Sequence, residues 1–401
     1  MRRLRPVAIT GVGCLCAAGH NLKASVDFLN KGKRNPAPPS RLIISSAPPY
    51  PVFEVPDPFF DPTLFHYDCQ LRNSQMALMA VWEAIRDADL DRRVLGAKRV
   101  GICIGSSVDE SIGIRFLRQL ASQTEVPFIT PDHRFLMSNP AVHIAREFEL
   151  SGPRQTVVNA CAASADAIGL AAAWIRLGIC DAVIAGGVDE LYQVTYNGFI
   201  SLMNSDRAPC KPFDAERSGL NLGEGAAMMI LESEDLVRKR GKAPRAYLLG
   251  YGAASDAYHF TSPHPDGKGL RLAVMEALHA GGLKPEDMAF VNAHGTGTLD
   301  NDRIEAHVFH EVFPELPYFS TKGYVGHTLG AAGAIDAVLT IACLEQKKIP
   351  PSAGFSSPDP DLPVSPVSEV TSIAGSMAIS DTLAFGGNNS ALVLGIKGNG
   401  A

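Results

Sequence analysis

The sequence predicts an α/β protein made of two duplicated halves, each with a mostly parallel sheet covered by helices. Apolar strands alternate with helical patterns along the whole chain, and the order of these elements occurs twice, which is the pattern of an internal repeat. The first half opens with a strand at 7–10 that ends in a Gly-Val-Gly motif at 11–13. The second half opens with a strand at 247–249 that ends in a Gly-Tyr-Gly motif at 250–252. Duplication of this unit predicts two sheets with helices between them.

The other elements of each half follow in the same order. Each half next has a helix with apolar residues at helical spacing, a buried strand, a strand-turn-helix unit rich in small residues, and a closing pair of apolar strands. In the first half these lie at 77–88, 100–104, 156–178, and 182–185 with 226–231; in the second half they lie at 270–280, 289–292, 318–346, and 380–385 with 390–394. The chain therefore divides into an N-terminal half, 1–240, and a C-terminal half, 241–401.

Two of the predicted helices, those beginning at Cys161 and at His327, are apolar or small on almost every side. A helix that is hydrophobic all round is buried rather than exposed. We therefore expect both helices to lie in the middle layer between the sheets. The side chains at their N-termini should converge on one cleft.

The composition excludes several classes of protein. With 46% hydrophobic and 19% charged residues in 401, the chain is neither disordered nor fibrous. The net charge of −6 argues against nucleic acid and anionic membranes as partners. We see no apolar stretch that would span a membrane, and the N-terminus reaches Gly11 too early for a signal peptide. Eight scattered cysteines without zinc spacing predict reduced thiols, a cytoplasmic location and no metal site.

Cys161 directly follows the apolar segment 156–158 and opens the helix of its unit, with alanines on both sides. The unpaired N–H groups of a helix N-terminus favour a thiolate and so make the sulfur a nucleophile. The alternative is a small buried core residue, as we assume for Cys103, Cys180 and Cys343. The strand-turn-helix position strengthens the nucleophile hypothesis and leaves both alternatives open.

His294 lies at the end of an apolar strand, and His327 lies at the start of the second small-residue helix. A single histidine among small residues is usually a hydrogen-bonded core group. The repeat, however, places both of these to face the helix start at Cys161, which favours a joint site. A thiolate with two imidazoles is suited to acyl-thioester chemistry.

Glycines at two strand ends allow unusual backbone conformations. The turn formed by Gly386 and Gly387 could present an N–H group to a developing oxyanion, or it could simply be a tight hairpin turn. The motif at 11–13 has the start of a dinucleotide-binding loop, but position 16 is Cys and no acidic residue ends a second strand at the required distance. We therefore do not expect a nicotinamide cofactor.

The sequence resembles the β-ketoacyl-acyl-carrier-protein synthases, the condensing enzymes of fatty-acid and polyketide synthesis, and in particular their types I and II. The resemblance runs from residue 4 to residue 397 and is carried by Cys161, His294, Lys322, His327, the turn at 385–387, and motifs at 211–219, 222–226 and 256–263. Several ordered motifs over the whole chain form a much more specific signal than any one of them. The resemblance implies a thiolase-like fold in which the two halves form a five-layer αβαβα sandwich.

The resemblance also implies roles for single residues. Cys161 would take the acyl chain from the phosphopantetheine of the carrier as a thioester. His294 and His327 would promote loss of carbon dioxide from malonyl carrier and stabilise the enolate, which then attacks that thioester. The backbone N–H groups of Cys161 and Phe385 would form the oxyanion hole, and Phe385 would also act as a gate. Lys322 would support the histidines.

In the family a glutamate that matches Glu305 lies close behind the lysine, and Thr296 and Thr298 match hydroxyls that hold the pantetheine arm. The resemblance implies no cofactor bound by the chain itself, since phosphopantetheine arrives on the acyl carrier protein. The expected partner is therefore an acidic acyl carrier protein. A homodimer is expected, and a heterodimer with a chain-length-factor-like subunit is the alternative.

The sequence departs from the usual family pattern at Ser164, Val325 and Asn388. The basic segment to which the carrier docks in long-chain members is also reduced, to Arg72 alone. Other basic residues could contact the acidic carrier or could be ordinary solvated charges: Arg115, Arg118, Arg207 and Lys211. Fatty-acid elongation and a specialised polyketide or polyene pathway therefore both stay open.

Two other functions compete with that of a decarboxylating condensing enzyme. A non-catalytic partner of the chain-length-factor type generally lacks the nucleophile, whereas this chain has Cys161 and both histidines. A thiolase would use a second cysteine in the C-terminal part, but Cys343 falls within an apolar helix away from the glycine turn. We therefore predict a β-ketoacyl-acyl-carrier-protein synthase, an acyltransferase.

Overall fold

The computed structural model describes residues 4–44, 48–67, 71–91, 95–96, 99–107 and 139–397. The strands are β1 Val7–Cys16, β2 Val100–Gly105, β3 Arg154–Val157, β4 Ala182–Asp189, β5 Gly225–Glu232, β6 Ala246–Ser255, β7 Val291–Ala293, β8 Tyr318–Ser320, β9 Lys348–Ile349, β10 Thr371–Ser372, β11 Met377–Ala384 and β12 Asn388–Gly395. The α-helices are α1 Leu22–Asn30, α2 Arg72–Asp87, α3 Pro140–Glu147, α4 Ala163–Arg176, α5 Gln193–Ser201, α6 Glu234–Arg240, α7 Lys268–Gly281, α8 Leu299–Val312, α9 Lys322–Val325 and α10 Ala332–Gln346. Short 3-10 turns lie at Pro62–Leu64, Pro285–Asp287 and Leu329–Ala331.

The main sheet has ten strands in the order β3-β2-β4-β5-β1-β6-β12-β11-β7-β8. It consists of two five-stranded halves with the same pairing. In each half three neighbouring strands are parallel, the fourth is antiparallel to the third, and the fifth is antiparallel to the fourth. The duplicated α/β architecture is thus confirmed. The expectation of two separate sheets is wrong, because the two halves are joined into one sheet. The junction is the pairing of β1 with β6 over three residues, from Val7 with Leu248 to Ile9 with Ala246.

The paired glycine motifs lie inside strands rather than in loops. A Cβ at Gly11 or Gly13 would come within 2.1 Å of a carbonyl oxygen of α2. A Cβ at Gly250 or Gly252 would come within 1.9 or 2.2 Å of a carbonyl oxygen of α7. Because glycine allows this close approach, the motifs seat one helix on the outer face of each half of the sheet.

Helices α4 and α10 form the middle layer, as the sequence predicts. Helix α4 contacts β2 and β4 of the first half and also β12 of the second, while α10 contacts both β11 and β5. With α2 and α7 outside, the layers run αβαβα. The segment Leu329–Gln346 is long and apolar enough to cross a membrane, which we did not expect from the sequence, but 89% of it is buried inside the protein. Its apolar surface is therefore used in the core.

Both middle helices begin later than the sequence predicts. Cys161 lies in the turn before α4, and His327 lies before the 3-10 turn that leads into α10. For the second helix the backbone explains the delay, because Leu329 has a φ angle of 53°, a left-handed conformation through which an α-helix does not continue. Ala160, with a φ angle of 45°, turns the chain directly before Cys161. The two candidate catalytic side chains are therefore held by turns.

Candidate active site

Cys161, His294 and His327 come together between the two halves of the protein. Sγ of Cys161 and one ring nitrogen of each histidine all lie within 4.8 Å of one another. The two imidazole centroids are 5.1 Å apart, and the rings are nearly perpendicular. All three residues are buried, with 6%, 1% and 2% of their surface exposed, respectively. The arrangement places a sulfur nucleophile beside two imidazole rings.

Backbone N–H groups approach the sulfur of Cys161 from two segments, the turn before α4 and the turn after β11. The charge of Lys322 lowers the pKa of the thiol, and so do the N–H groups of Phe385 and of Cys161 itself. Burial has the larger effect and raises that pKa to about 11. The backbone N–H groups therefore act on the pKa in the direction that we expected, but burial outweighs them and favours the protonated thiol.

His327 is held as a neutral ring with its proton on Nε2. Its Nδ1 accepts a hydrogen bond from the backbone N–H of Leu329 at 3.0 Å, which fixes the tautomer. Burial first, and the charge of Lys322 second, lower the pKa of this imidazole to about 3. His327 is thus a neutral hydrogen-bond donor at physiological pH, the form that can stabilise an oxyanion.

His294 directly follows β7, and its Nδ1 has no hydrogen-bond partner among the described residues. Burial, followed by the nearby Lys322 and His327, lowers the pKa of its ring well below the usual value. Gly295, with a φ of 44°, makes the turn, and a Cβ there would lie 2.5 Å from that of Ser320. The turn therefore requires glycine, and it brings a second neutral imidazole into the cleft.

Lys322 forms a buried ion pair with Asp336. Its Nζ donates to Oδ2 of Asp336 at 2.7 Å, and the hydroxyl of Thr321 donates to Oδ1 of the same carboxylate. The side chains of Lys322 and Asp336 are each 1% exposed. Sequence reasoning missed Asp336, although it is the one acidic residue in the apolar stretch 332–344. This ion pair places a fixed positive charge near both histidines.

Glu305 supports the turn at Gly295 rather than forming a hydrogen bond to the lysine. Its carboxylate accepts the backbone N–H of Gly295 at 2.7 Å and a side-chain amide hydrogen of Asn301. Burial raises the pKa of Glu305 well above its usual range and that of the adjoining Asp381 to about 7. One proton between the two carboxyls relieves their repulsion, because two carboxylates in contact cannot both be charged in a dry interior. Asp381, inside β11, gave no signal in the sequence.

Two cavities meet at Cys161. The first has a volume of about 350 Å³ and is lined by Thr296 and Thr298, whose hydroxyl oxygens are 2.9 Å apart. The second has a volume of about 220 Å³ and a mainly apolar lining. Phe385 lines both cavities and stacks on Phe199 with ring centroids 5.3 Å apart. A change in the position of Phe385 would therefore alter the connection between them.

Asp189, at the end of β4, is a further buried carboxyl that sequence reasoning missed. It accepts the hydroxyl of Ser106 at 3.0 Å, the backbone N–H of Ser107 at 2.9 Å and the backbone N–H of Gly330 at 2.6 Å. These bonds join the end of β2 to the turn that follows His327. The glycine pair before it, at 186–187, was the only signal in the sequence.

The basic residues considered for carrier contact do not form a free cluster among the described residues. Arg72 pairs with the fully buried Glu224 at 2.7 Å and with Asp57 at 2.9 Å, so it holds the fold together. Only 15% of its side chain is exposed. Arg115 and Arg118 lie outside the described residues.

A metal ion is the alternative use of the central trio. Sulfur and imidazole are zinc ligands, and in the described part of the chain Cys161, His294 and His327 are the one group placed to hold an ion. Structural zinc sites have four protein ligands, whereas catalytic zinc sites have three and an open position. The geometry of the trio is therefore compatible with an ion as well as with a sulfur nucleophile beside two imidazoles, and the comparisons below favour the second use.

Comparison with known families gives matches over both halves. Residues 4–236 match the family described as beta-ketoacyl synthase, N-terminal domain. Residues 245–356 match the beta-ketoacyl synthase, C-terminal domain. The two matches together cover well over half of the chain.

Individual relatives match over nearly the whole length. The chain is 31% identical over 418 aligned residues to 3-oxoacyl-[acyl-carrier-protein] synthase 2 of Staphylococcus aureus (strain COL), covering 98% of this chain and 99% of that protein. It superimposes on the ishigamide ketosynthase/chain length factor with a TM-score of 0.90 and 30% identity, covering 98% and 100% of the two chains. A type II PKS ketosynthase in complex with its acyl-carrier protein gives a TM-score of 0.86 and 26% identity, covering 99% and 100%.

Proposed function

The chain belongs to the β-ketoacyl synthase family, and we propose that it condenses an acyl group held on Cys161 with a malonyl unit delivered by an acyl carrier protein. It is an acyl-transferring condensing enzyme with a thiolase-like fold. The observation that carries the residue roles is the meeting of the Cys161 sulfur with two histidine nitrogens within 4.8 Å.

In the first step, Sγ of Cys161 attacks the carbonyl carbon of the carrier thioester. The bond from that carbon to the pantetheine sulfur breaks, and the thiol proton passes to the departing sulfur. Negative charge develops on the carbonyl oxygen, and the N–H groups of Cys161 and Phe385 stabilise it as an oxyanion hole. One such donor typically contributes a factor of about 10² to 10³ in rate.

In the second step, His294 and His327 act on a malonyl thioester. Neutral imidazoles donate hydrogen bonds to its thioester oxygen while the bond to the carboxylate breaks and carbon dioxide leaves. The tautomer of His327, with its proton on Nε2, supports this role. The enolate carbon then attacks the Cys161 thioester, and the cysteine sulfur leaves, so no strong base is needed.

The remaining groups position the substrates. We assign Lys322 to holding the histidines neutral and oriented through its charge, and Glu305 to holding the turn at Gly295 next to His294. Thr296 and Thr298 are placed along the larger cavity, where they can hold the pantetheine arm. The chain binds no cofactor of its own in this proposal, since the phosphopantetheine belongs to the carrier.

We place the enzyme in the cytoplasm as a dimer and divide it between residues 240 and 241. Seven described cysteines are free, which agrees with a reducing compartment. One solved relative is named as a ketosynthase/chain length factor. A heterodimer with such a subunit is therefore the alternative to a homodimer.

The competing functions are less well supported. A chain-length-factor role does not require the buried trio, which this chain retains in full. A thiolase would need a second cysteine near the site, whereas Cys343 belongs to another part of the core, with Phe290 and Phe319.

The test measures self-acylation and carbon dioxide release separately, with a panel of acyl carriers and malonyl carrier. The Cys161→Ser protein should gain no acyl group by mass spectrometry but should still decarboxylate malonyl carrier. His294→Ala and His327→Ala proteins should still be acylated but should lose decarboxylation by a factor of about 10² or more. Acylation of the Cys161→Ser protein at another residue, or unchanged decarboxylation in both histidine variants, would refute these roles.

A further inference from the structure

The entrance of the larger cavity is bordered by large apolar side chains that face solvent. Met203 and Phe260 are 87% and 86% exposed, and Leu202 and Leu299 are 49% and 60% exposed. Leu202, Met203 and Leu299 line the cavity that reaches Cys161. The carbonyl of Phe260 accepts the N–H of Gly386 at 2.7 Å, which anchors it beside the glycine turn. We refer to these four apolar residues as the entrance rim.

Met203 is unusual both in its backbone conformation and in its exposure. It follows α5 with a φ of 57°, a left-handed conformation in which glycine or asparagine is normally found. It also exposes a long apolar side chain that packs against almost nothing in this chain. Residues that conflict with the usual backbone and burial preferences, and that add no packing inside the fold, are expected at functional surfaces.

Among the described residues, no lysine or arginine lines the larger cavity, and three basic side chains close in sequence to its lining residues already have partners. Arg303 lies 3.5 Å from Asp300, and Lys211 lies 2.7 Å from Glu216. Arg207 stacks on an aromatic ring 4.4 Å away and donates to a backbone carbonyl at 2.7 Å. In the part of the chain that the structure describes, the entrance therefore offers apolar surface more readily than free positive charge.

We propose that the entrance rim docks the acyl carrier protein through apolar contacts centred on Met203 and Phe260. The proposal rests on the proposed function, which identifies the occupant. Cys161 is buried, and the larger cavity connects it to the rim. A carrier whose prosthetic arm delivers the thioester must therefore stand over this entrance, with the surface around its phosphopantetheine attachment on the rim. A few large apolar residues can carry most of the energy of such a contact.

The test compares rim variants with carrier-bound and carrier-free substrates. Asparagine tolerates a positive φ, so Met203→Asn removes the apolar side chain without harming the turn. Met203→Asn and Phe260→Ser should each raise the KM for acyl carrier and malonyl carrier about fivefold to tenfold, the usual effect of losing an interface anchor. The KM for N-acetylcysteamine thioesters, which have no carrier to contact the rim, should change by less than about twofold.

The control is Leu177→Asn, which removes a side chain that is 74% exposed at the end of α4 remote from Cys161. It should leave both KM values unchanged. The fold-increase in carrier KM in the rim variants should be the same at about 0.05 M and about 0.5 M salt, because salt screens charges and not apolar contacts.

Carrier KM values within twofold of the unsubstituted protein in both rim variants would overturn the docking proposal. An equal fold-increase in KM for carrier-bound and carrier-free thioesters would overturn it too, since the substitution would then affect the active site rather than carrier docking. Failure of the unsubstituted protein to condense any thioester would overturn the proposed function and the docking proposal with it. That outcome is distinguishable because it does not depend on the rim substitutions.

Discussion

At Cys161, burial and the neighbouring groups shift the pKa of the thiol in opposite directions. Burial raises the pKa to about 11, while the charge of Lys322 and the N–H of Phe385 lower it by less. Both nearby imidazoles have lowered pKa values, so neither forms an imidazolium partner for a thiolate at neutral pH. In the proposed mechanism the thiolate therefore forms during acyl transfer, when the proton leaves for the pantetheine sulfur, rather than before the substrate binds.

This balance predicts how alkylation of the thiol depends on pH. Below a pKa of about 11 the thiolate fraction increases tenfold with each pH unit. The rate of modification by iodoacetamide at Cys161 should therefore rise about tenfold per unit between about pH 7 and 9. Peptide mass spectrometry assigns the site, and the Cys161→Ser protein gives the background. A rate that levels off below about pH 8 would show that the helix terminus outweighs burial.

At the scale of elements, sequence periodicity identifies the middle helices but not where they start. Their apolar composition is a local property, so α4 and α10 could be predicted. Their starts depend on contacts from distant segments: Asp189 of β4 binds the N–H of Gly330, and Ser164 of α4 accepts the N–H of Ala334 of α10 at 2.9 Å. Such long-range bonds leave no pattern in a single segment. Ser164, a departure from the family pattern, thus has a structural role here.

Substitution by alanine should have opposite effects on the free energy of unfolding at two helical glycines. One of them lies in the tight contact between α4 and β6, and the other lies in open space. A Cβ at Gly169 would lie 2.5 Å from the ring of Tyr251, whose hydroxyl is fixed to Asp166 at 2.9 Å. Gly169→Ala should therefore lower the free energy of unfolding by about 1–3 kcal/mol. At Gly198 in α5 nothing lies within 4 Å, and Gly198→Ala should raise it by about 0.5–1 kcal/mol. Urea unfolding measures both, and equal changes would contradict this packing.

At the scale of the whole molecule, the site exists only where the two halves meet. Segment 204–224 of the first half reaches across the second: the N–H of His327 donates to the carbonyl of Asn221 at 2.8 Å, and the N–H of Gly219 donates to the carbonyl of Gly297 at 3.0 Å. The duplication in the sequence was sufficient to predict that Cys161 faces the two histidines. The ion pair of Lys322 with Asp336 could not be predicted, because it depends on how α9 packs against α10.

These shared contacts predict that the two halves unfold together. The middle helices pack on strands of both halves, so an isolated half would expose a large apolar face. In a urea titration, enzyme activity, tryptophan fluorescence and hydrogen exchange at β7 and β8 should be lost at one midpoint. Both tryptophans, Trp82 and Trp174, report on the first half, whereas β7 and β8 report on the second. Midpoints that differ by more than about 0.5 M urea would mean that each half folds as an independent unit.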